Sequence, residues 1–299
     1  MFSGFPLIHN LGLLAVDMEA KGLVDELEWF SNSFIVAILV SLLVIFVCRS
    51  AASSKKKVPG RLTNAFEALV DSLYNGLEQI VGRHMIAKCF PLLATLFIFI
   101  LIANWFGLVP GVGTIGFGEE RGPLLGLEQV AMPLLRPPNA DLNMTLAMAT
   151  VFFAMWMWWV FRELGVFGTI GHIFGPKGGL KGLMAIGLLP IFIFVGLIEV
   201  VSILFRPVSL SLRLYGNIFA GENLLHAMLF LGDDLPVPFN YIGSVVFPLP
   251  FYFMELLIGL LQALVFTLLC AVYIQLSTSH EEDESHGHGH GHAEEGAAH

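Results

Sequence analysis

Charge is scarce in this 299-residue chain: 13% of its residues are Asp, Glu, Lys or Arg, about half the share usual in a soluble domain. With 56% hydrophobic residues beside so little charge, it cannot cover a water-facing surface and is read as a membrane protein. Cysteine is scarce too. Cys48, Cys89 and Cys270 lie in or beside apolar stretches with no paired spacing, which excludes a disulfide framework and a thiolate metal site. No phosphate loop or dinucleotide fingerprint is present, so no nucleotide site is expected. No fixed-period repeat is visible, which counts against a self-contained channel or secondary transporter, whose folds often carry internal repeats. Nor is there a nucleophile with a base, or a zinc-ligand helix pattern, to support an intramembrane enzyme. The first 30 residues lack the basic start of a secretory signal. They are acidic (Asp17, Glu19, Asp25, Glu26, Glu28) and are read as an N-terminal extension.

Apolar runs long enough to cross a hydrocarbon core of about 30 Å occur near 33–48, 90–110, 143–161, 183–231 and 244–276. After the first comes "CRSAASSKKKVPGR", whose Arg49, Lys55, Lys56, Lys57 and Arg61 mark that side as cytoplasmic. Five spans threaded from this anchor put the N-terminus outside and the C-terminus inside. The inside segments then also hold Arg83, Lys88, Arg162, Lys177 and Lys181, against only Lys21, Arg121 and Arg136 outside. Residues 62–88 place Leu62, Phe66, Leu69, Leu73, Leu77 and Ile80 at three- and four-residue steps between acids and amides, the pattern of an interfacial amphipathic helix. The loop 111–138 is rich in Gly and Pro and is expected to be irregular.

Two runs are too long for a simple span. At 1.5 Å per residue, helices over 183–231 and 244–276 would measure about 73 and 50 Å, more than ordinary tilt absorbs. Either the first breaks at Arg206-Pro207, giving six spans, or it stays whole and lies inclined. The polar residues favour one helix: Glu199, Ser202, Arg206, Ser209, Arg213 and Asn217 fall within an arc of about 80° and keep phase across Pro207. Serines on such an edge are often satisfied by backbone. Glu199 and Arg213 are different, because an ionisable side chain at depth costs about 2.5–3.5 kcal/mol on insertion scales and marks an ion pathway or a partner. Glu222 points about 180° away from the stripe, with His226 at i+4. In the last run Tyr252, Glu255, Gly259 and Gln262 form a second polar edge, its glycine allowing close helix approach.

"PVSLSLRLYGNIFAGE" and "MELLIGLLQALVFTLLCAVYIQLS", with "VPGRLTNAFEALV", "FIFILIANWFGLVP" and "PPNADLNMTLAMA", closely resemble the a subunit of the F-type rotary ATP synthase over about residues 30 to 280. Arg213, Asn217, Glu222 and Gln262 fall where the family motifs place functional residues. In some members the position matching Glu255 is histidine, and acid and imidazole exchange between it and the position of Glu222; this chain has Glu at both. The resemblance implies an all-α integral membrane fold of about five membrane helices plus an interfacial amphipathic helix, with the last two helices long and steeply inclined against a rotor ring. The chain divides into an acidic periplasmic extension over 1–30, one membrane domain over 31–277 and a polar cytoplasmic tail over 278–299.

The implied mechanism couples proton flow to rotation of a c-subunit ring, whose carboxylates are neutral toward lipid and ionised toward the a subunit. Arg213 stabilises the ionised form and separates two offset half-channels, with Gln262 as its companion. Glu222 and Glu255, with Asn217 and His226 nearby, are candidates for the outer half-channel. Asn104, Asp141 and Asn143 are weaker candidates there, and for Asn139 and Asp141 a helix cap before "LNMTLAMA" competes. Glu199 and Ser202 are candidates for the inner half-channel. Implied partners are the c ring, b-type peripheral stalk subunits, the remaining synthase subunits and lipid; no cofactor, resident metal or nucleic acid is expected. The place is an energy-transducing membrane, in a bacterium the inner membrane. His286, His288, His290 and His292 alternate in a low-complexity tail, where spaced imidazoles offer only weak metal sites.

Overall fold

A computed structural model describes residues 32–52, 60–109, 112, 116–124, 127–133, 135–174, 189–233 and 239–278. The Lys55–Lys57 cluster, the acidic N-terminal residues and the His-rich tail lie outside them. Five described helices are long and apolar enough to cross a membrane: residues 32–50, 83–107, 142–163, 190–225 and 242–277.

Helix α1, Asn32–Ala52, buries Val36, Val40 and Val44, one per turn, and leaves Leu42, Ile45 and Phe46 open, as a lipid-facing helix with one packed seam should. Helix α2, Arg61–Val81, is the amphipathic element. Its Phe66, Leu69, Leu73 and Ile80 pack against the core around buried Leu77. The helix ends seven residues before the expected Lys88, because Gly82 adopts φ 85° and its amide caps Glu78 O at 2.9 Å. That positive-φ junction, open to glycine at little steric cost, separates the two helices. Residues 83–88 therefore belong to the next span, α3, Arg83–Gly107.

The stretch expected to be an irregular loop holds an antiparallel hairpin of β1, Gly116–Leu124, and β2, Leu127–Pro133, registered from Gly116 opposite Pro133 to Leu124 opposite Leu127. Register slips occur between Phe117 and Glu120 and between Arg121 and Pro123. Gly118 and Gly122 fall in those slips, so glycines that pointed to an irregular loop lie at the irregularities of a hairpin. A 3-10 turn at Pro138–Ala140 follows, and Pro137 sits so close to Gly107 that a Cβ there would lie 2.7 Å from its ring. Asp141 Oδ1 accepts the Asn143 amide at 2.9 Å, which caps α4, Leu142–Phe174, a helix bent at Gly165 with φ 72°.

Helix α5, Leu189–Asp233, runs 45 residues through Pro207 without interruption, about 68 Å. The six-span alternative is therefore excluded. A short helix α6, Phe239–Val246, turns at Phe247 into α7, Pro248–Thr278. Outside the hairpin and the 3-10 turn, every described element is an α-helix. The core lies among α3, α4, α5 and α7, around Leu93, Ile100, Phe152, Leu214 and Phe266. Cover is uneven: half of the apolar window of α3 is buried, but only 6% of that of α5. In the first half of α5 only Gly196 is buried from Pro190 to Phe205, so that half has a face that the described residues of its own chain do not fill.

Candidate functional site

The polar residues gather at three levels along the α5–α7 seam. At the middle level, Arg213 is exposed on the open face of α5. Among the described residues it has neither a hydrogen bond nor an ion pair. One turn on, Asn217 Nδ2 donates to Gln262 Oε1 of α7 at 2.6 Å. Gln262 is buried, so this bond ties the two long helices together beside the arginine. Gln262, expected as the companion of Arg213, is thus bonded to Asn217, one turn of helix from the arginine.

Gln262→Leu removes that tie but leaves the guanidinium. One net hydrogen bond contributes about 0.5–1.5 kcal/mol, so the protein should lose about that much stability. A lower melting temperature in detergent checks it.

Toward the hairpin end, Glu255 of α7 is 7% exposed, and its carboxyl group occupies the space where a Cβ on Gly221 of α5 would go. Only glycine leaves room. Glu222, the next residue, is half-buried and within electrostatic reach of both Glu255 and Arg136. Arg136 itself is 6% exposed and donates from Nη2 to Ala140 O at 3.4 Å. The sequence assigns it no role at the site, and the two prolines that follow it, which begin the turn at Pro138–Ala140, are the available signal.

Beneath these lies a buried amide chain. Asn139 Nδ2 donates to Asn104 Oδ1 at 2.6 Å, and Asn104 Nδ2 to Gly259 O at 3.0 Å. Trp105 Nε1 donates to Leu256 O at 3.1 Å. Gly259 makes the approach possible, since a Cβ there would stand 3.1 Å from Asn104 Cβ. Asn139 is therefore part of the network and not a cap, whereas Asp141 is buried and caps α4. The side chain of Asn143 is exposed, and that of His226 lies outside the described residues. Asn104→Leu should cost about 1–2 kcal/mol of stability, the scale of polar ties between membrane helices, read as a lower melting temperature in detergent.

At the opposite end of the seam, Glu199 is half-buried and Ser202 exposed, both on the same edge of α5 as Arg213. Arg206 lies on that edge too, but its side chain meets α4 and α7. Its guanidinium carbon lies 4.7 Å from the centre of the Tyr273 ring and 5.1 Å from that of Trp156, and its charge reaches Glu199. Lys88 at the start of α3 pairs with Glu163 near the same end of α4 at 2.5 Å.

The arrangement places an open guanidinium between two polar clusters, one holding buried Glu255 and half-buried Glu222 and one lying near the far end of the same helix. Such a site can hold an anion at its centre and pass protons at either end, but joins no reacting pair. The chain matches the family model "ATP synthase A chain" over residues 33–275. It is 32% identical over 251 residues to ATP synthase subunit a of Protochlamydia amoebophila, covering 84% of this chain and 81% of that one. It is 31% identical over 275 residues to ATP synthase subunit a of Solidesulfovibrio magneticus, covering 90% and 96%. For ATP synthase subunit a of Trichlorobacter lovleyi the figures are 31% over 270 residues, 90% and 97%.

Proposed function

From the premise that this chain belongs to the ATP synthase A chain family, we propose how it works as the membrane stator that couples proton flow to rotation in an F-type ATP synthase. It is a multi-pass subunit of that complex in an energy-transducing membrane. Its partner in the membrane is a ring of small c subunits, set against the bare face of α5, with b-type stalk subunits holding the chain still. Residues 31–277 form the membrane unit, with the N-terminus periplasmic and the C-terminus cytoplasmic. Nucleotide chemistry belongs to other subunits, since this sequence carries no phosphate-binding fingerprint.

Each rotor carboxylate crosses lipid only when protonated, because burying the ion in hydrocarbon is costly. Arg213 is where it becomes an anion. The guanidinium stays charged at any physiological pH and offers donors in a planar fork, yet hands over no proton itself. Glu222 and Glu255, fed past Asn104 and Asn139, load protons from the outer side; Glu199 and Ser202 receive them on the inner side. The observation that carries this reading is that Arg213 is exposed on α5 and has, among the described residues, neither a hydrogen bond nor an ion pair.

The chain should copurify with small hydrophobic rotor subunits, and reconstituted alone it should move no protons in a coupled way. Gradient-driven substrate flux without a rotor would instead favour a self-contained transporter. Glu222→Gln is expected to slow proton uptake from the outer side while the complex still assembles, measured by stepping the pH on one face of oriented vesicles.

A further inference from the structure

Arg206 and Arg213 are seven residues apart on α5, so they differ by about 20° in direction and about 10 Å along the axis. On the sequence they belong to one stripe. The fold treats them differently: Arg213 is open, whereas Arg206 is half-buried between the rings of Tyr273 and Trp156. Those rings come from α7 and α4. They are themselves tied, Trp156 Nε1 donating to Tyr273 O at 3.1 Å and to Ser277 Oγ at 2.8 Å. One side chain of α5 is therefore gripped by two neighbouring helices at once.

Helix α5 packs more lightly there, with Phe192, Glu199, Val200 and Ile203 half-buried and Ile203 against the core. Between Pro190 and Phe205 only Gly196 is buried, whereas Leu210, Ser211, Leu214 and Ile218 are buried further on. Apolar side chains facing lipid resist rotation weakly, because lipid is as apolar as they are. A guanidinium between two ring faces resists strongly, since leaving would strand a cation in hydrocarbon.

We infer that Arg206, clamped by Trp156 and Tyr273, is the positioning residue that fixes the rotation of α5 about its axis and so aims Arg213 at the rotor. This rests on the role proposed for Arg213. The test is made in the assembled synthase, as the ratio of ATP-driven pumping to ATP hydrolysis, with the amount of assembled subunit measured alongside. Arg206→Lys, which keeps a cation for the rings, should stay within about twofold of the parent; Arg206→Met should fall about tenfold in coupling. Tyr273→Leu removes one ring and leaves the Trp156 bonds to the Tyr273 carbonyl and to Ser277, so it stays readable if Arg206→Met fails to assemble; about threefold lower coupling is expected. Arg206→Met coupled within twofold of the parent, Arg206→Lys as poor as Arg206→Met, or Tyr273→Leu without effect would each overturn the inference. Arg213→Ala is run in parallel. If it is inactive while Arg206→Met couples normally, the clamp alone is refuted; if it pumps normally, the reading of Arg213 falls first.

Discussion

Arg213→Ala should reduce ATP-driven proton pumping by the assembled complex at least a hundredfold. Removing one partner of a charge pair in a poorly solvated site costs about 3–5 kcal/mol, because the other charge is left uncompensated, and each 1.36 kcal/mol is tenfold in rate. The arginine has no partner among the described residues of its own chain, so its loss should disturb folding little, and subunit content should stay near that of the parent. Arg213→Lys should not rescue, since an ammonium is a compact, strongly hydrated charge without the planar fork. Pumping by Arg213→Ala complexes at the parental rate would refute the assignment.

The second large effect is expected at a residue with no functional groups. Gly221→Ala places a methyl group where the Glu255 carboxyl stands, so the carboxyl must move or the two long helices must part. Overpacking of this kind costs about 1–3 kcal/mol, and because the displaced group is a proposed proton carrier, pumping should drop about tenfold to a hundredfold. Glu255→Ala in the same chain opens the space again. The double variant should recover assembly lost by Gly221→Ala, read as subunit content of washed membranes, even though one carboxyl group is gone. No gain in assembly over Gly221→Ala would show that the crowding lies elsewhere.

The features that could be read from the sequence were those with a period. The phase of Glu199, Arg206, Arg213 and Asn217 across Pro207 already argued for one helix, and α5 is continuous. Leu69, Leu73 and Leu77 announced α2, but not its end, since the turn at Gly82 depends on a single backbone angle. In the hairpin, the same glycines that weaken a strand pattern take up its bulges.

The seam between α5 and α7 was legible as two polar edges, and the bond from Asn217 to Gln262 joins them. What one sequence could not disclose were contacts between residues far apart in it. Gly221 carries no chemistry until Glu255, 34 positions later, is seen to need its space. Arg206 shared the stripe of Arg213, and the approach of Trp156 and Tyr273 from other helices separates their settings. Arg136 looked like an ordinary loop cation until the Pro-Pro turn carried it inward.

The length of α5 has a mechanical consequence. Its 36-residue apolar span is about 54 Å long and must fit a hydrocarbon layer of about 30 Å, so it slants by roughly 55° from the normal. On such a ramp, climbing toward one surface also means travelling sideways, by about 45 Å from end to end on the same figures. On the function proposed above, two doorways at its opposite ends could not stand above one another, and the lean of the ramp, left or right, would decide whether an inward current drives a neighbouring wheel clockwise or counterclockwise.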